Sequence, residues 1–377
     1  MLPIFLFYFL ALLFLPQYNC KKHKKPVFKK QPPPYAKISK VIKYYHSKNL
    51  DNQIFSRNFN IIKANTCLDF LKTNKSLKTI GINFFESRKK NIVKLSVSTK
   101  KPTEVFLKKS IYNNDRMLKF YIGLALGLIP ELKRRDRDNN VRILSENILP
   151  SYRQYFKVDF DYHRFFNNTD FDFSSMMLYD LSFGTKYRGK STYKSKLYPY
   201  YEKSLKLFQY FSYNDLKRLN NLYCINNSKK ASECKNGGYY GRNRTVCECV
   251  YPFKGNKCEE LVPNHHECSN ETIINATSIR QTKTLTNTNK LCYYLIKANP
   301  GKKIKIEVLQ FETSHSSQCF GFPNLEIKYR RDKGARGLCL CENTKSIVLP
   351  PLSNEIVIVF ESLYSVDKLT FSYQEVN

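Results

Sequence analysis

Residues Phe120 to Asp138 read FYIGLALGLIPELKRRDRD, and this stretch decides the fold. Residues 113–115 can cap a helix start, because short polar side chains accept hydrogen bonds from first-turn amides. Residues 117–126 are apolar on almost every side, which predicts a buried helix. Gly127 can adopt the left-handed conformation that ends a helix, and Pro130 stands where a helix cannot continue. The apolar run is well short of the roughly 20 residues that a membrane span needs, so the helix belongs to a protein core.

The same layout occurs in the metzincin motif H-E-x-x-H-x-x-G-x-x-H, in which three His bind zinc and the Glu activates the bound water. When the motif Gly is placed on Gly127, the Glu position falls on Tyr121. The three ligand positions fall on Phe120, Leu124 and Pro130. None of these four side chains can perform the function of the residue it replaces.

The positions around these four resemble the astacin family of zinc peptidases, whose pattern here is HExGHALGxxHExxRxDRD. The matching residues are Gly123, Ala125, Leu126, Gly127, Glu131, Arg134, Asp136, Arg137 and Asp138. The resemblance implies a protease scaffold that is kept and a reactive centre that is lost. We therefore predict a catalytically inactive protein without a cofactor, although the family uses zinc.

Further segments resemble the astacin domain. Residues 66–70 match TCxxF, and residues 175–179 resemble the Met-turn SxMHY, in which the Met lies under the zinc site and the Tyr reaches the metal. The corresponding residues are Met177 and Tyr179, and without zinc we expect Met177 to pack in the core and Tyr179 to be a partly buried phenol. Residues 215–224 resemble the terminal helix of the family, which implies a disulfide Cys67–Cys224.

The C-terminal part resembles two extracellular modules. Residues 234–258 are similar to an EGF module without its first and third Cys, and residues 319–339 are similar to the second disulfide loop of a CUB domain. These resemblances imply the pairs Cys234–Cys247, Cys249–Cys258, Cys268–Cys292 and Cys319–Cys339. Cys341 is left over, and it could pair with Cys20, substitute for Cys339 or link two chains. Asn324 occupies a calcium-ligand position of many CUB domains, so we infer no calcium.

The predicted fold class is α+β, with a metzincin-like two-lobed protease domain, a small disulfide-stapled EGF-like module and an all-β CUB-like sandwich. Alternating apolar runs after residue 268 support the sandwich. The predicted segments are a signal peptide (1–20), a basic Pro-rich lead-in (21–38), a degenerate astacin-like domain (39–224), a truncated EGF-like module (225–260) and a CUB-like domain (261–377).

Composition and leader indicate a secreted, extracellular glycoprotein. Residues 2–16 form a signal-peptide core, with an uncleaved anchor as the alternative, and 12 Cys indicate disulfides. Glycosylation sequons stand at Asn74, Asn167, Asn226, Asn243, Asn270 and Asn275. The net charge of +32 favours anionic glycans or membrane surfaces as partners, and the localisation argues against nucleic acid.

Basic runs occur at residues 21–25, 88–90, 133–137 and 328–333. Each run is expected to be a solvated face, and together they make an anion-binding surface reasonable. Four residues are left out of this surface, because the family resemblance implies that they form structural ion pairs: Arg134, Asp136, Arg137 and Asp138. The six His show no H-x-x-x-H or H-x-H spacing, and the adjacent His265 and His266 are expected to point apart. No phosphate-binding glycine loop is present in the sequence.

Three functions remain open at this point. The first is an inactive astacin-like protein that binds an extracellular protein or peptide. The second is an active zinc metalloendopeptidase, which is the ordinary activity of the family. The third is a polyanion-binding adhesion protein that uses the protease fold only as a scaffold.

Overall fold

The structure is a computed structural model, and it describes residues 41–96, 98, 100–159, 168–224, 233–242, 245–268, 271–286, 290–314, 324–362, 364 and 366–377. All of them lie in one compact unit. Within this part of the chain, every helix is too short or too polar to cross a bilayer. Several predictions concern residues outside these ranges: the signal peptide, the lead-in with its basic run, Cys20, Cys319 and the sequons at Asn167, Asn226, Asn243 and Asn270.

A mixed five-stranded sheet forms one layer of the N-terminal half. Its strands are β1 (Val41–His46), β2 (Asp69–Lys72), β3 (Ile82–Glu86), β4 (Ile92–Lys94) and β5 (Thr103–Leu107). They lie in the order β2-β1-β3-β5-β4, and only β4 runs antiparallel to its neighbour. Buried residues alternate with half-buried ones along β5, so one face of the strand points into the core. β4 is left at the edge of the sheet.

Helices complete the N-terminal half, and the first and third of them pack against this sheet. They are α1 (Asn52–Asn65), α2 (Lys109–Tyr112), α3 (Asp115–Ala125), α4 (Tyr200–Ser204) and α5 (Tyr213–Tyr223). The side chain of Asn114 caps α3 by accepting from the amide of Met117 at 3.0 Å, as the polar residues there predict. Ser212 and Asp215 form a reciprocal capping box at the start of α5. Short 3-10 turns at Glu131–Lys133, Arg137–Asn139, Ser145–Asn147, Pro150–Phe156 and Leu205–Leu207 connect these elements.

Small two-stranded sheets follow the first sheet. β6 (Val141–Ile143) pairs with β7 (Tyr193–Ser195), β8 (Tyr239–Tyr240) with β9 (Cys247–Glu248), and β10 (Phe253–Lys254) with β11 (Glu260–Leu261). The hairpins between residues 233 and 261 are too small to enclose a core of their own. Their apolar side chains instead share a cluster with Tyr293, Val357 and Val359 of the following domain.

Two β-sheets pack as a sandwich in the C-terminal part. The strands are β12 (Ile273–Asn275), β13 (Gln281–Leu285), β14 (Leu291–Lys297), β15 (Lys303–Glu312), β16 (Leu325–Lys328), β17 (Leu338–Leu340), β18 (Thr344–Leu349), β19 (Glu355–Glu361) and β20 (Lys368–Val376). One sheet has the order β12-β14-β19-β16-β17 and the other β13-β20-β15-β18. Their inward apolar residues, such as Ile306, Phe360 and Phe371, are fully buried.

Disulfides form within each of these parts as the sequence predicts, with one exception. The bonded pairs are Cys67–Cys224, Cys234–Cys247, Cys249–Cys258 and Cys268–Cys292. The predicted pair Cys319–Cys339 is wrong, because Cys339 is a buried free thiol. Cys341 is disulfide-bonded, and its partner lies outside the described residues. Burial raises the pKa of the Cys339 thiol to about 11, although the neighbouring Arg336 opposes this shift.

The basic run 328–333 lies against the N-terminal half and is not the predicted solvated face. Arg330 donates from Nη1 to Oδ1 of Asn140 at 2.5 Å. Asp332 accepts a hydrogen bond from Nδ2 of Asn214 at 2.8 Å. Both contacts join the sandwich to the preceding domain, and within the run Arg331 is the residue left exposed. The expectation fails because the buried cations, which look free in the sequence, have partners across this contact or within the sandwich.

A second buried charge cluster lies beside this contact. Glu326 is fully buried, with its carboxylate 3.3 Å from the Lys328 ammonium and 3.7 Å from the Arg336 guanidinium. Burial alone would raise the pKa of Glu326. The two cations and the amide of Gly337, which donates to the carboxylate at 2.9 Å, outweigh burial and lower this pKa to about 2. Glu326 therefore stays ionised inside the domain.

Candidate functional site

α3 and the turn after it hold the residues that the sequence comparison singles out. Leu128 donates its amide to the carbonyl of Gly123 at 2.9 Å, and Gly127 donates to that of Leu124 at 3.0 Å. With Gly127 at φ +88°, these bonds form a Schellman motif. The helix therefore ends as the sequence predicts, and the chain is redirected toward Pro130.

The segment 175–179 lies directly beneath α3. The amide of Glu131 donates to the carbonyl of Met177 at 3.0 Å, which joins this segment to the turn. Met177 is fully buried, and a Cβ built on Gly123 would lie 2.6 Å from its sulfur. Only glycine permits this close approach of helix and sulfur, which explains the residue at position 123.

Asp215 holds the same segment from the other side. Its carboxylate accepts from the Ser175 hydroxyl at 2.6 Å and from the Met176 amide at 2.8 Å, in addition to capping α5. Burial raises the pKa of Asp215, while the Arg218 guanidinium opposes that shift. The second role of Asp215, fixing the Met-turn, was not predicted from the sequence, because it joins residues about forty positions apart.

A buried ion cluster links this scaffold to the charged segment after Pro130. The Glu131 carboxylate is fully buried between the guanidinium groups of Arg134 and Arg218. Burial raises the pKa of Glu131, and the two cations oppose that shift. Arg134 also forms two bonds to Asp136, at 2.7 and 2.8 Å. These contacts fit the structural role that the resemblance assigns to Arg134 and Asp136, and they remove Arg134 from any anion-binding surface.

Aromatic rings occupy the place that corresponds to the family's reactive centre. The Phe120 ring lies 5.4 Å from that of Tyr121 and 5.5 Å from that of Tyr179. Tyr179 stacks on Phe183 with centroids 4.3 Å apart, and Phe156 lies 6.0 Å from Tyr179. The contributions of Phe156 and Phe183 were missed by sequence reasoning, and the only available signal was the high aromatic content of 14%.

The two phenols of this cluster remain protonated at neutral pH. Burial raises the pKa of Tyr121 to about 12 and also raises that of Tyr179, and neighbouring tyrosines reinforce both shifts. A general base must be unprotonated near the working pH. Tyr121, which stands at the position of the family's Glu, does not meet this requirement.

The side chains at the family's zinc-ligand positions do not fit a zinc ion. Phe120 and Leu124 carry no donor atom, and Pro130 offers no side-chain nitrogen or oxygen. Among the residues that the structure describes, one group of His, Cys, Asp or Glu side chains is close enough to share a metal, and it is formed by His265, His266 and Glu267. It lies just before Cys268, far along the chain from α3. The two His rings are 4.0 Å apart, so the expectation that they point apart is wrong.

Of the predicted glycosylation sites within the described ranges, Asn74 and Asn275 are both exposed. Exposure is the condition that attachment of a glycan requires, and glycosylation at these positions stays a prediction.

Sequence comparison assigns both large parts of the chain. A model of the Astacin peptidase family matches residues 32–224, and a CUB domain model matches residues 268–374. These matches confirm an α+β astacin-type protease domain and an all-β CUB domain. Such domains with disulfides suggest an extracellular protein.

Individual relatives are zinc metalloproteinases. The chain is 29% identical over 261 residues to zinc metalloproteinase nas-34 of Caenorhabditis elegans, covering 67% of this chain and 42% of that protein. It is 28% identical over 229 residues to zinc metalloproteinase nas-36 of Brugia malayi, covering 58% and 39%. The chain thus matches well under half the length of these relatives.

Among solved structures, the chain is similar to high choriolytic enzyme 1, a hatching-enzyme zinc protease from Oryzias latipes. That similarity has a TM-score of 0.42 and 22% identity, and covers 49% of this chain and 90% of that one.

These matches correct one prediction and establish the family. The expectation of no cofactor is wrong, because the matched relatives are zinc metalloproteinases and imply zinc. The side chains of Phe120, Leu124 and Pro130, at the family's ligand positions, nevertheless do not fit that metal. The astacin match covers more than half of the chain, and the chain therefore belongs to the astacin family of peptidases.

Proposed function

We propose that this protein is a non-proteolytic member of the astacin family that acts by binding an extracellular protein or peptide. The observation that carries the proposal is the replacement of the family's ligands and base by an aromatic cluster centred on Phe120 and Tyr179. The supporting scaffold around it, from Asp215 to the Met-turn, is complete.

Peptide hydrolysis by the family's route needs a water that a base can deprotonate. Tyr121 stands at the base position, and its pKa of about 12 keeps the phenol protonated at neutral pH. A phenol that stays protonated at neutral pH cannot take a proton from water in the first step. The family's chemistry therefore has no proton acceptor at this position.

The aromatic cluster also stabilises the domain where the family's ligands are replaced. Aromatic pairs at such centroid distances contribute about 0.5 to 1.5 kcal/mol beyond their buried area. Phe120 contacts two rings of this kind, so it stabilises the domain at the position where the family places a polar ligand. Phe120, Tyr121 and Leu124 are half-buried and pack against the core at this site.

A binding role uses features that remain. β4 lies at the edge of its sheet, in the order β2-β1-β3-β5-β4. An extended peptide can pair with such an edge strand through main-chain hydrogen bonds. Residues 92 and 93 of β4 are half-buried and Lys94 is exposed, so this edge is accessible to a ligand.

Proteolysis of casein by the purified full-length chain, with one equivalent of added zinc, tests the proposal. We expect no cleavage above the rate of a buffer control. The matched variant is Tyr121→Phe, which keeps the ring and removes the hydroxyl. Cleavage by the wild-type chain that 1,10-phenanthroline abolishes and Tyr121→Phe alters would show catalysis at this site and refute the proposal.

The family's ordinary activity, a zinc metalloendopeptidase, is the second candidate, and family membership favours it. The same assay decides between the two.

Polyanion binding is the third candidate, and the net charge of +32 favours it. Residues 88–90 are all exposed, unlike the run 328–333. Charge reversal at Arg88, Lys89 and Lys90 should lower the salt concentration that elutes the protein from heparin. Reversal of exposed Lys303 and Lys305 on β15 is the control. Equal effects of both variants, or elution of the wild type at low salt, would count against a specific polyanion surface.

A further inference from the structure

We propose that His265, His266 and Glu267 form a binding site for a divalent transition-metal ion at the start of the CUB domain. Each residue offers one ligand atom, and these atoms all lie within 4.8 Å of one another. The site is separate from the aromatic cluster under α3, and it goes beyond the binding function proposed above.

The distances fit a metal of the zinc or copper type after a small closure. Bonds of about 2.1 Å place two ligand atoms about 3.4 Å apart at a tetrahedral metal, and at most about 4.2 Å apart in any geometry. Nδ1 of His265 is already 3.4 Å from Oε2 of Glu267. To reach the tetrahedral spacing, the widest separation in the cluster, 4.8 Å at most, must shrink by about 1.4 Å, which rotation of exposed side chains supplies.

The backbone under the site is held in place before any ion arrives. Asn264 accepts from the amide of Tyr293 at 2.7 Å and donates to its carbonyl at 2.9 Å, which ties the segment to β14. The amide of Cys268 donates to the carbonyl of His265 at 2.9 Å, and Cys268 is bonded to Cys292. Little backbone freedom is lost on binding, and this favours affinity.

The three side chains face one another across this loop. The amide of Glu267 donates to Nδ1 of His265 at 3.3 Å, and an ion bound at Nδ1 replaces this hydrogen bond. The His266 ring lies beside it, with centroids 4.0 Å apart and planes inclined at 36°. Two imidazoles and one carboxylate therefore converge, with room for water as a fourth ligand on the exposed side.

The donor set selects the class of ion. Imidazole with carboxylate suits Zn²⁺ and Cu²⁺, whereas Ca²⁺ and Mg²⁺ prefer sites built only from oxygen. In the metal-free protein the Lys290 ammonium forms an ion pair with Glu267, 3.6 Å from its Oε2. An incoming cation competes with Lys290, so removing that ammonium should strengthen metal binding.

Calorimetric titration of the full-length chain with Zn²⁺ tests the site. We expect His265→Ala with His266→Ala to lower the affinity by about tenfold or more, and Glu267→Gln to lower it less. Lys290→Ala should raise it. Glu260→Gln is the matched control, because Glu260 is an exposed carboxylate 3.7 Å from Lys254 in the preceding hairpin, and it should leave affinity unchanged.

A second readout identifies the ligands. With Cu²⁺ as probe, electron paramagnetic resonance of the wild-type chain should show nitrogen hyperfine structure that the double His variant lacks. Unchanged thermal unfolding of each variant without metal shows that it folds. Absence of Zn²⁺ binding by the wild type, or Zn²⁺ binding that the double variant retains at full affinity, overturns the proposal.

Discussion

Gly123→Ala measures whether the Met-turn still packs under α3 in a protein that has lost the family's ligands. The new Cβ would lie 2.6 Å from the sulfur of Met177, which is fully buried and has little space to withdraw. Replacing a helical glycine by alanine stabilises by about 1 kcal/mol, whereas overpacking a core costs about 1 to 3 kcal/mol. With the overpacking term near its middle value, the folded state should lose about 1 kcal/mol.

The decisive quantity is the coupling between the two positions. In a Met177→Ala background the added Cβ enters vacated space, so Gly123→Ala should change from destabilising to stabilising by about 1 kcal/mol. The coupling energy is then about 2 kcal/mol, well above the error of about 0.5 kcal/mol. Met176→Ala is the control background, because Met176 is also buried but supplies none of the three atoms nearest to the new Cβ.

Equilibrium unfolding in urea with the disulfides intact supplies these free energies. Tyrosine fluorescence can follow the transition, because the chain contains no Trp. If the Met177 and Met176 cycles give the same coupling, or if Gly123→Ala alone stabilises the protein, the close packing of helix and Met-turn is refuted.

Three further predictions concern stability and cysteine chemistry. Cys67→Ser with Cys224→Ser opens a loop with a sequence separation of 157 and should destabilise the domain by up to about 5 kcal/mol in urea unfolding; a loss below 1 kcal/mol would contradict this. Because the pKa of Glu326 falls from 4.5 to about 2 on folding, its contribution is present above pH 4.5 and is lost as the pH falls through 2. Acid lowers the free energy of unfolding, and Glu326→Gln should reduce this loss by up to about 3 kcal/mol when stability is measured in a pH series. If the variant shows the same dependence of unfolding free energy on pH as the wild type, the lowered pKa of Glu326 is refuted. Peptide mapping after iodoacetamide treatment should find Cys339 alkylated only in unfolded protein, because its free thiol is buried. A disulfide at Cys339 would refute the assignment of Cys339 as free and Cys341 as bonded.

Local signals predicted the elements around the site. Asn114 caps α3 and Gly127 ends it, because both effects depend on residues within one turn of each other. The pairing of Cys67 with Cys224 came from the family resemblance, since sequence separation alone does not select a partner. The loss of the ligand set was also readable, because it depends only on which residues stand at positions 120, 124 and 130.

Contacts between distant segments could not be read in this way. The basic run 328–333 looks solvated until the partners Asn140 and Asn214 are placed beside it. The choice between Cys339 and Cys341 depends on how one strand end faces its neighbours, which two residues of spacing cannot show. The inference of no cofactor failed for another reason, because it relied on the residues at three positions alone, whereas the matched relatives are zinc metalloproteinases and imply zinc.

The hairpins between residues 233 and 261 rest their apolar side chains on Val357 and Val359. An excised fragment of these hairpins would expose that surface to water and keep only its two staples, Cys234–Cys247 and Cys249–Cys258. A chimera made from this chain should therefore keep the hairpins and the sandwich together in one fragment that begins upstream of Cys234.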